Sequence, residues 1–280
     1  MFYADLKKED RAMALPIDLV LVRHGQSEGN VAKRRSEQGD HSAFTEEFRS
    51  RHSSSFRLTT QGIIQAQRTG VWIHEHLGSF DRYVTSTHIR AMETAGNLGL
   101  SGASWFPDPY LIERSWGDLD IFSQDEQQQY FADLFKRREA DPFLWRPRNG
   151  ESLADVCLRF DRFLDTLHRE CSNQRVIAVT HGETMRAGQM RLERWSQEQF
   201  RRTVRSRERS SKIYNCQILH YTRRDPATKI LLPHMGWVRI IRPTENPVWV
   251  SDWKPIVRIR YSNEDLLSLA EAVQRTVDNI

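Results

Sequence analysis

Short apolar runs alternate with stretches of helical periodicity along most of this sequence. Pro16–Val22 and Arg175–Thr180 are rich in aliphatic residues, which is typical of strands buried on both faces, and Phe80–Ser86 is a weaker third run. Strands that alternate with helices favour a largely parallel sheet with helices on both faces. We therefore predict an α/β fold of three layers around a mostly parallel central sheet.

Three segments have apolar residues at helical spacing behind an N-terminal cap. They are 63–77 after Thr59, 122–135 with a capping box at Ser123 and Glu126, and 153–167 with a capping box at Ser152 and Asp155. A cap satisfies the free N–H groups of a first helical turn. We therefore predict helices that begin directly after these residues.

The pattern changes in the C-terminal part of the sequence. Short strand-like pieces punctuated by prolines occupy residues 217–261, the last of them at 256–261. A closing helix is predicted after Ser262, with Leu266 and Leu269 on its apolar face.

No internal repeat or low-complexity linker divides the sequence. We therefore expect residues 1–280 to form a single domain, with a core at about 16–200 and a C-terminal extension at 201–280. The extension is expected either to cover the functional site or to make a homodimer contact.

Charge and apolar content limit the partners and the compartment. A net charge of +4 favours anionic partners, and no apolar run is long enough to span a bilayer. Residues 1–16 form a short leader that mixes both charge signs, unlike a secretory signal. Three cysteines at unremarkable spacing favour a reducing compartment. We expect a cytoplasmic protein without a membrane partner.

The basic run Arg201–Lys212 allows two interpretations. Clustered arginines bind nucleic acid through its phosphates, but a solvated helix face is the more common reason for such a run. No aromatic residues that could stack on bases are interleaved with these arginines. We therefore expect a solvated face and no nucleic-acid partner.

Polar side chains that suit an anion follow the predicted strands. Arg23 and His24 follow the first strand, Arg90 comes shortly after the third, His181 follows the second, and Glu113 ends a further apolar piece. The carboxyl ends of parallel strands meet at one edge of a sheet, where ligands bind. Guanidinium groups match phosphate oxygens bidentately. The sequence therefore predicts a phosphate site at this edge.

Small and polar residues beside the two histidines are expected to contact the substrate. Gly25 lets the backbone approach closely. Ser27 to Asn30 begins a predicted helix whose free N–H groups and dipole also favour an anion. Gly182 follows the second histidine in the same way as Gly25 follows the first. We predict that all four residues bind the substrate.

Arg146 and Arg148 are further candidates for recognising an anionic substrate. Both precede the sequence "NGES", within the segment 115–150 that connects the site motifs. We predict no metal site. His74 and His76, the most suggestive pair, face different sides of a helix.

The motifs resemble those of the histidine phosphatase superfamily, also called the phosphoglycerate-mutase-like fold. In chain order they read "RHGQSEGN", "LTTQGIIQAQ", "TSTHIRAMETA", "LIERSWGDLD", "NGESLADV" and "VTHGETMR". They extend over roughly residues 18–191 in the order of the family. The resemblance implies a phosphoglycerate-mutase-like fold and phosphoryl transfer through a histidine.

The resemblance also implies a role for each matching residue. His24 would be the nucleophile that forms a phosphohistidine, and Glu113 would give a proton to the leaving group. The phosphoryl oxygens would be held by Arg23, Arg90 and His181, with help from Asn30. Neutral imidazole is a nucleophile near pH 7 without a metal. We therefore predict a phosphomonoester phosphatase that needs neither metal nor cofactor and acts on a small phosphorylated substrate.

Three alternatives remain open. A phosphoglycerate-type mutase would use the same site, although "KRREADPFLWRPRNGES" stands where glycolytic mutases have a proline-rich specificity segment. "GQSEG" also fits the nucleophile elbow of serine hydrolases, with Ser27 as nucleophile, but an elbow serine has no use for Arg23 and Arg90. A third alternative is a sensor that binds phosphorylated ligands without turnover.

Overall fold

The computed structural model describes residues 14–206 and 208–277. Most of the predicted leader, residues 1–13, lies outside the described residues, and so does Arg207 of the basic run. Within the described ranges, no helix combines the length and the apolar content that crossing a membrane requires.

Within the described residues, eight strands form one sheet. They are β1 (Asp18–Arg23), β2 (Arg82–Ser86), β3 (Trp105–Asp108), β4 (Arg175–Thr180), β5 (Ile218–Thr222), β6 (Trp237–Arg242), β7 (Trp249–Val250) and β8 (Lys254–Pro255). The strand order is β3-β2-β4-β1-β5-β6-β7, and β8 pairs with β6. The pairs among β1 to β4 are parallel. These four strands make up the larger part of the sheet, so the predicted mixed α/β fold with a central, mostly parallel sheet is confirmed.

The helices cover the parallel strands on both sides. They are α1 (Glu28–Ser36), α2 (Glu46–Ser50), α3 (Thr60–His76), α4 (Ile89–Asn97), α5 (Gln124–Ala140), α6 (Leu153–Glu170), α7 (Gly182–Leu192), α8 (Gln197–Arg205) and α9 (Asn263–Glu271). Thr59 caps α3, and the predicted capping boxes at Ser123 and Ser152 begin α5 and α6. The three predicted helix starts are therefore confirmed.

Strand β1 shows how the three layers arise from sequence. Leu19 and Leu21 belong to one buried cluster with the apolar residues of α6 and α7. Val20 and Val22, which point to the other side, belong to a second cluster with those of α3 and α4. Successive side chains of a strand face opposite sides of the sheet. A continuous apolar run is therefore what a central strand with helices on both faces requires.

The C-terminal extension continues the sheet in the antiparallel sense. β5 lies directly beside β1, and β6 pairs with β5. The predicted strand at 256–261 is wrong. The last strand is β8, and beyond it Val257, Ile259 and Tyr261 are exposed. An apolar alternation becomes a strand only where a neighbouring strand supplies hydrogen-bond partners, and no described strand pairs with these residues.

Candidate active site

The turn after β1 is held by a close approach of two backbone segments. A Cβ atom on Gly25 would overlap the carbonyl oxygen of Gly62, and a Cβ on Gly62 would overlap that of Gln26. Only glycine fits at either position. An isolated antiparallel bridge between Ser27 and Leu58 follows directly. The "RHG" turn therefore rests on the start of α3, and the chain between Ser27 and Leu58 leaves this point and returns to it.

His24 presents an unprotonated nitrogen to the site. Its Nδ1 lies 2.7 Å from the carbonyl oxygen of Gly25, so this nitrogen carries the proton and donates. Its Nε2 accepts a hydrogen bond of 3.2 Å from Nε of Arg90. Burial and then the charge of Arg90 hold the pKa of His24 well below its usual value of 6.5. The imidazole is therefore neutral, with the Nε2 lone pair on the side of Arg90.

His181 is the second buried imidazole of the site. Its ring centroid is 5.0 Å from that of His24, and burial and Arg90 lower its pKa well below 6.5. The hydroxyl of Ser86 lies 2.8 Å from its Nε2. When Ser86 donates to Nε2, the proton of the neutral ring resides on Nδ1. This Nδ1 is buried and lacks a hydrogen-bond partner in the described part of the chain, so it is available to an oxyanion.

Two guanidinium groups lie beside the imidazoles. Arg23 donates to the carbonyl oxygen of Ile213 at 2.6 Å, and Arg90 donates to that of Ser53 at 2.6 Å. Nε of Arg23 is buried and has no hydrogen-bond partner among the described residues. Both arginines thus bond to backbone oxygens instead of carboxylates. Two buried cations arranged in this way favour an anion in the space between them.

Glu113 supplies the carboxyl group of the site. Its Oε1 accepts hydrogen bonds from the backbone N–H groups of Arg114 at 2.9 Å and Glu183 at 3.1 Å. Burial, and then the charge of Glu183, raise the pKa of Glu113, although Arg90 and Arg23 oppose this. A carboxyl group with a raised pKa is suited to act as a proton donor.

The same groups also have the geometry of a metal site. His24, Glu113 and His181 each offer one ligand atom, and these three atoms lie within 4.8 Å of one another. Arg23 and Arg90, however, place two positive charges beside them, which disfavours a cation and favours an anion. The donor set therefore fits an oxyanion better than a metal ion.

A cavity of about 650 Å³ opens from this cluster. Its lining includes seven of the predicted site residues, namely Arg23, His24, Ser27, Asn30, Arg90, Glu113 and Gly182. His181 adjoins them through its contact with His24, and Gly25 supports the turn from behind. The structure therefore brings together residues from four distant segments at the carboxyl edge of the parallel strands.

Ser27 and Asn30 support the histidine turn. Oγ of Ser27 accepts from the backbone N–H of Asn30 at 3.3 Å and caps α1. Oδ1 of Asn30 accepts from Nδ2 of Asn215 at 3.0 Å, and the same amide donates to the carbonyl oxygen of His24. The Ser27 hydroxyl thus serves a helix end and not a catalytic imidazole, which weakens the serine-hydrolase alternative.

The structure does not bring Arg146 and Arg148 to the cavity. Nη2 of Arg146 donates to both carboxylate oxygens of Asp155, at 2.7 and 2.8 Å, and Nε of Arg148 lies 3.5 Å from Asp118. Both side chains are exposed. Each already has a carboxylate partner at the surface, outside the lining of the cavity.

Sequence reasoning missed the other cations of the cavity. They are Lys33, Arg114, Arg138 and Arg186. Arg186 lies one helical turn after Gly182, so helical spacing could have found it. Arg138 reaches the cavity through the packing of α5, and no local pattern indicates that.

A comparison with known protein families identifies the family of this chain. The profile of the histidine phosphatase superfamily (branch 1) matches residues 19–218. The chain belongs to this superfamily. The 2,3-bisphosphoglycerate-dependent phosphoglycerate mutase of Azorhizobium caulinodans is 32% identical over 192 residues, which are 64% of this chain and 83% of the mutase.

Solved structures of other proteins share the fold. The alpha-ribazole phosphatase from Shigella flexneri superposes with a TM-score of 0.57 at 21% identity, covering 78% of this chain and 95% of that one. A mycobacterial glucosyl-3-phosphoglycerate phosphatase, in a complex with VO3, gives a TM-score of 0.58 at 21% identity, covering 73% and 92%. The proteins similar to this chain thus include both phosphatases and a mutase.

Proposed function

We propose that this protein is a metal-independent phosphomonoester phosphatase that works through a phosphohistidine on His24. One observation carries the proposal. The unprotonated Nε2 of a neutral, buried His24 lies beside Arg90, in a cavity that also contains Arg23 and a carboxyl group with a raised pKa, Glu113.

In the first step, Nε2 of His24 attacks phosphorus in line with the ester oxygen. The P–N bond forms, the P–O bond to the alcohol breaks, and protonated Glu113 gives its proton to the departing oxygen. Arg23, Arg90 and Nδ1–H of His181 stabilise the charge on the three equatorial oxygens. Phosphoryl transfer depends mainly on such positioning and charge neutralisation.

In the second step, the carboxylate of Glu113 takes a proton from water as the water oxygen attacks phosphorus. The P–N bond breaks, inorganic phosphate leaves, and neutral His24 and protonated Glu113 are restored. Splitting the reaction into two transfers avoids direct attack of water on a stable ester.

Hydrolysis is favoured over mutase activity by the cavity. A mutase has to keep water away from its phosphohistidine while the substrate turns. A space of about 650 Å³ is large for a three-carbon acid. Within the described part of the chain, Ile213 is the one residue of the C-terminal extension that lines this space, so the strands and the closing helix that follow it do not cover the cavity. Sequence kinship to the mutases keeps mutase activity as the second candidate.

The test is hydrolysis of a chromogenic aryl phosphate in the presence of EDTA. We expect phosphate release by the unaltered protein and by His74→Ala, an exposed histidine on α3 that serves as the matched control. His24→Ala should lose activity by at least about 10³-fold, and rapid quenching should trap an acid-labile, base-stable phosphate on His24. Full activity of His24→Ala would contradict the mechanism.

The same preparation separates the alternatives. A mutase would isomerise 3-phosphoglycerate when primed with its bisphosphate and release little free phosphate. A serine hydrolase would react with a fluorophosphonate at Ser27. A sensor would bind phosphate and release none from any ester.

A further inference from the structure

Two groups of apolar side chains, here called aromatic walls, line the cavity. The first aromatic wall consists of Phe44, Phe48 and Phe56, and the second consists of Leu119, Phe122 and Phe135. The walls come from separate segments, one around α2 and one leading into α5. Neither wall includes a residue that the proposed chemistry uses.

The first aromatic wall stands next to the phosphate site. The rings of Phe48 and Phe56 are stacked, with centroids 4.6 Å apart and planes inclined by 13°. A Cβ atom on Gly29 would lie 2.9 Å from the ring of Phe56. Because Gly29 immediately precedes Asn30 in the first turn of α1, this wall begins where the phosphoryl group would bind.

Polar contacts connect the segments that carry the two walls. Arg49 of α2 donates to the carbonyl oxygens of Phe44 at 2.9 Å and Ile121 at 2.8 Å, and it pairs with Glu126 at 3.0 Å. The carbonyl of Ser53 accepts from Arg90. The first wall is therefore tied both to the second wall and to a phosphate-binding arginine. A slot formed in advance needs little ordering when a ligand enters.

Two cations that line the cavity, Arg114 and Arg138, lie over tryptophan rings instead of over the two aromatic walls. The guanidinium of Arg114 lies 4.6 Å from the ring centroid of Trp116, and that of Arg138 lies 5.1 Å from it. Arg138 also lies 5.5 Å from the centroid of Trp145.

In the first aromatic wall, Arg49 lies 5.6 Å from the ring centroid of Phe44, and Arg51 lies 5.4 Å from that of the buried Phe56. The partly exposed rings of the two walls that remain for a substrate are Phe48, Phe122 and Phe135.

We propose that the alcohol part of the substrate carries an aromatic ring, which binds between the two aromatic walls while the phosphate binds at His24. The inference rests on the proposed function for its phosphate end. Aromatic surface exposed in a preformed cavity binds flat rings by burial and stacking. A glycerate or a simple sugar would leave this surface in contact with water.

Binding of inert phosphonates tests the inference without turnover. We expect 3-phenylpropylphosphonate to bind the full-length protein about tenfold more tightly than propylphosphonate in calorimetric titrations. Phe48→Ala and Phe122→Ala should each reduce this ratio to about twofold, whereas Phe106→Ala, an exposed ring on β3, should leave it unchanged. Equal affinities of the two phosphonates for the unaltered protein would overturn the inference.

Kinetics should agree with binding. The substrates 2-phenylethyl phosphate and ethyl phosphate both release a primary alcohol, so leaving-group chemistry is nearly matched. We expect kcat/KM to favour the phenyl compound about tenfold, mainly through KM. Phe48→Leu keeps apolar bulk without a ring face and should lose most of the preference. Equal hydrolysis of both esters would refute the substrate class and leave the phosphatase intact, whereas ring-dependent phosphonate binding without hydrolysis of any ester would refute only the phosphatase.

Discussion

The region around His24 and the segment 256–277 depart from the usual distribution of side chains in opposite directions. At the first, His24, His181 and Arg90 are almost completely buried. In the second, Leu266 and Leu269 are 54% and 55% exposed. Buried polar groups and exposed apolar groups are the informative exceptions in a folded protein. The oxyanion proposed to bind at His24 would account for the first exception, whereas the described chain contains nothing that covers the second.

Helices α6 and α9 make the same contrast within one type of element. Both follow a capping box and both have apolar residues at helical spacing. Phe160 and Phe163 of α6 lie in the core, while the leucines of α9 face solvent. Periodicity therefore predicts that a helix forms, but not that another element of the same chain packs against it.

The largest effect is expected at the buried carboxyl group. Glu113→Gln removes the proton donor, so kcat for alkyl phosphates should fall by roughly 10²- to 10⁴-fold. In the unaltered protein, activity should be lost as pH rises through the raised pKa of Glu113, and it should persist below pH 6.5 because the pKa of His24 is depressed. A pH profile of kcat/KM checks both limbs. An alkaline limb that remains in the Gln variant would assign it to another group.

The core of α6 should show a large effect of a different kind. Phe160 is fully buried, and Phe160→Ala should lower the free energy of unfolding by about 3–5 kcal/mol, from lost burial and the cavity left behind. Urea denaturation measures this. A loss below about 1 kcal/mol would mean that the packing of α6 is much looser than the described contacts indicate.

The buried cations should contribute to activity and not to stability. Arg90→Met keeps most of the side-chain volume but removes a charge held near Arg23, so kcat should fall about 10²- to 10³-fold. The free energy of unfolding should stay the same or rise, because a buried charge is costly. Steady-state kinetics and urea denaturation on one sample provide both values. A clear loss of stability would assign Arg90 a structural role.

The smallest effect is expected in α9. Leu266→Ala should change the free energy of unfolding by no more than about 0.5 kcal/mol, because the side chain is already exposed. A larger loss that grows with protein concentration would instead support the homodimer contact predicted for the extension. Sedimentation of both proteins over the same concentrations distinguishes these outcomes.

The parts that sequence predicted well are those in which local chemistry decides the structure. The apolar runs of β1 and β4 can be buried only between two layers of helices. The capping box at Ser152 marks the start of a helix. Strand β3 escaped prediction because it contains Pro107 and is largely exposed, so it lacks the apolar run of the other parallel strands.

The candidate site also contains residues that local sequence predicts and residues that it does not. His24 and His181 were predictable because each follows a central strand, and parallel strands end at one edge. The first aromatic wall was not predictable, because Phe44 and Phe48 follow no strand and reach the cavity only through long-range contacts such as that of Arg49 with Ile121. Arg146 lies away from the cavity for the converse reason, since its position in the sequence did not indicate that Asp155 binds it at the surface.

The bridge between Ser27 and Leu58 has a consequence for how such a protein diversifies. Backbone hydrogen bonds of 3.0 Å, from Glu28 to Arg57 and from Thr59 to Gln26, close the chain at this point. Whatever is inserted between them returns to the same place, and a longer insert adds little entropic cost. The segment between Ser27 and Leu58 can therefore change in length and sequence without moving His24. A related protein with a different segment at this place would bind a different substrate with the same histidine.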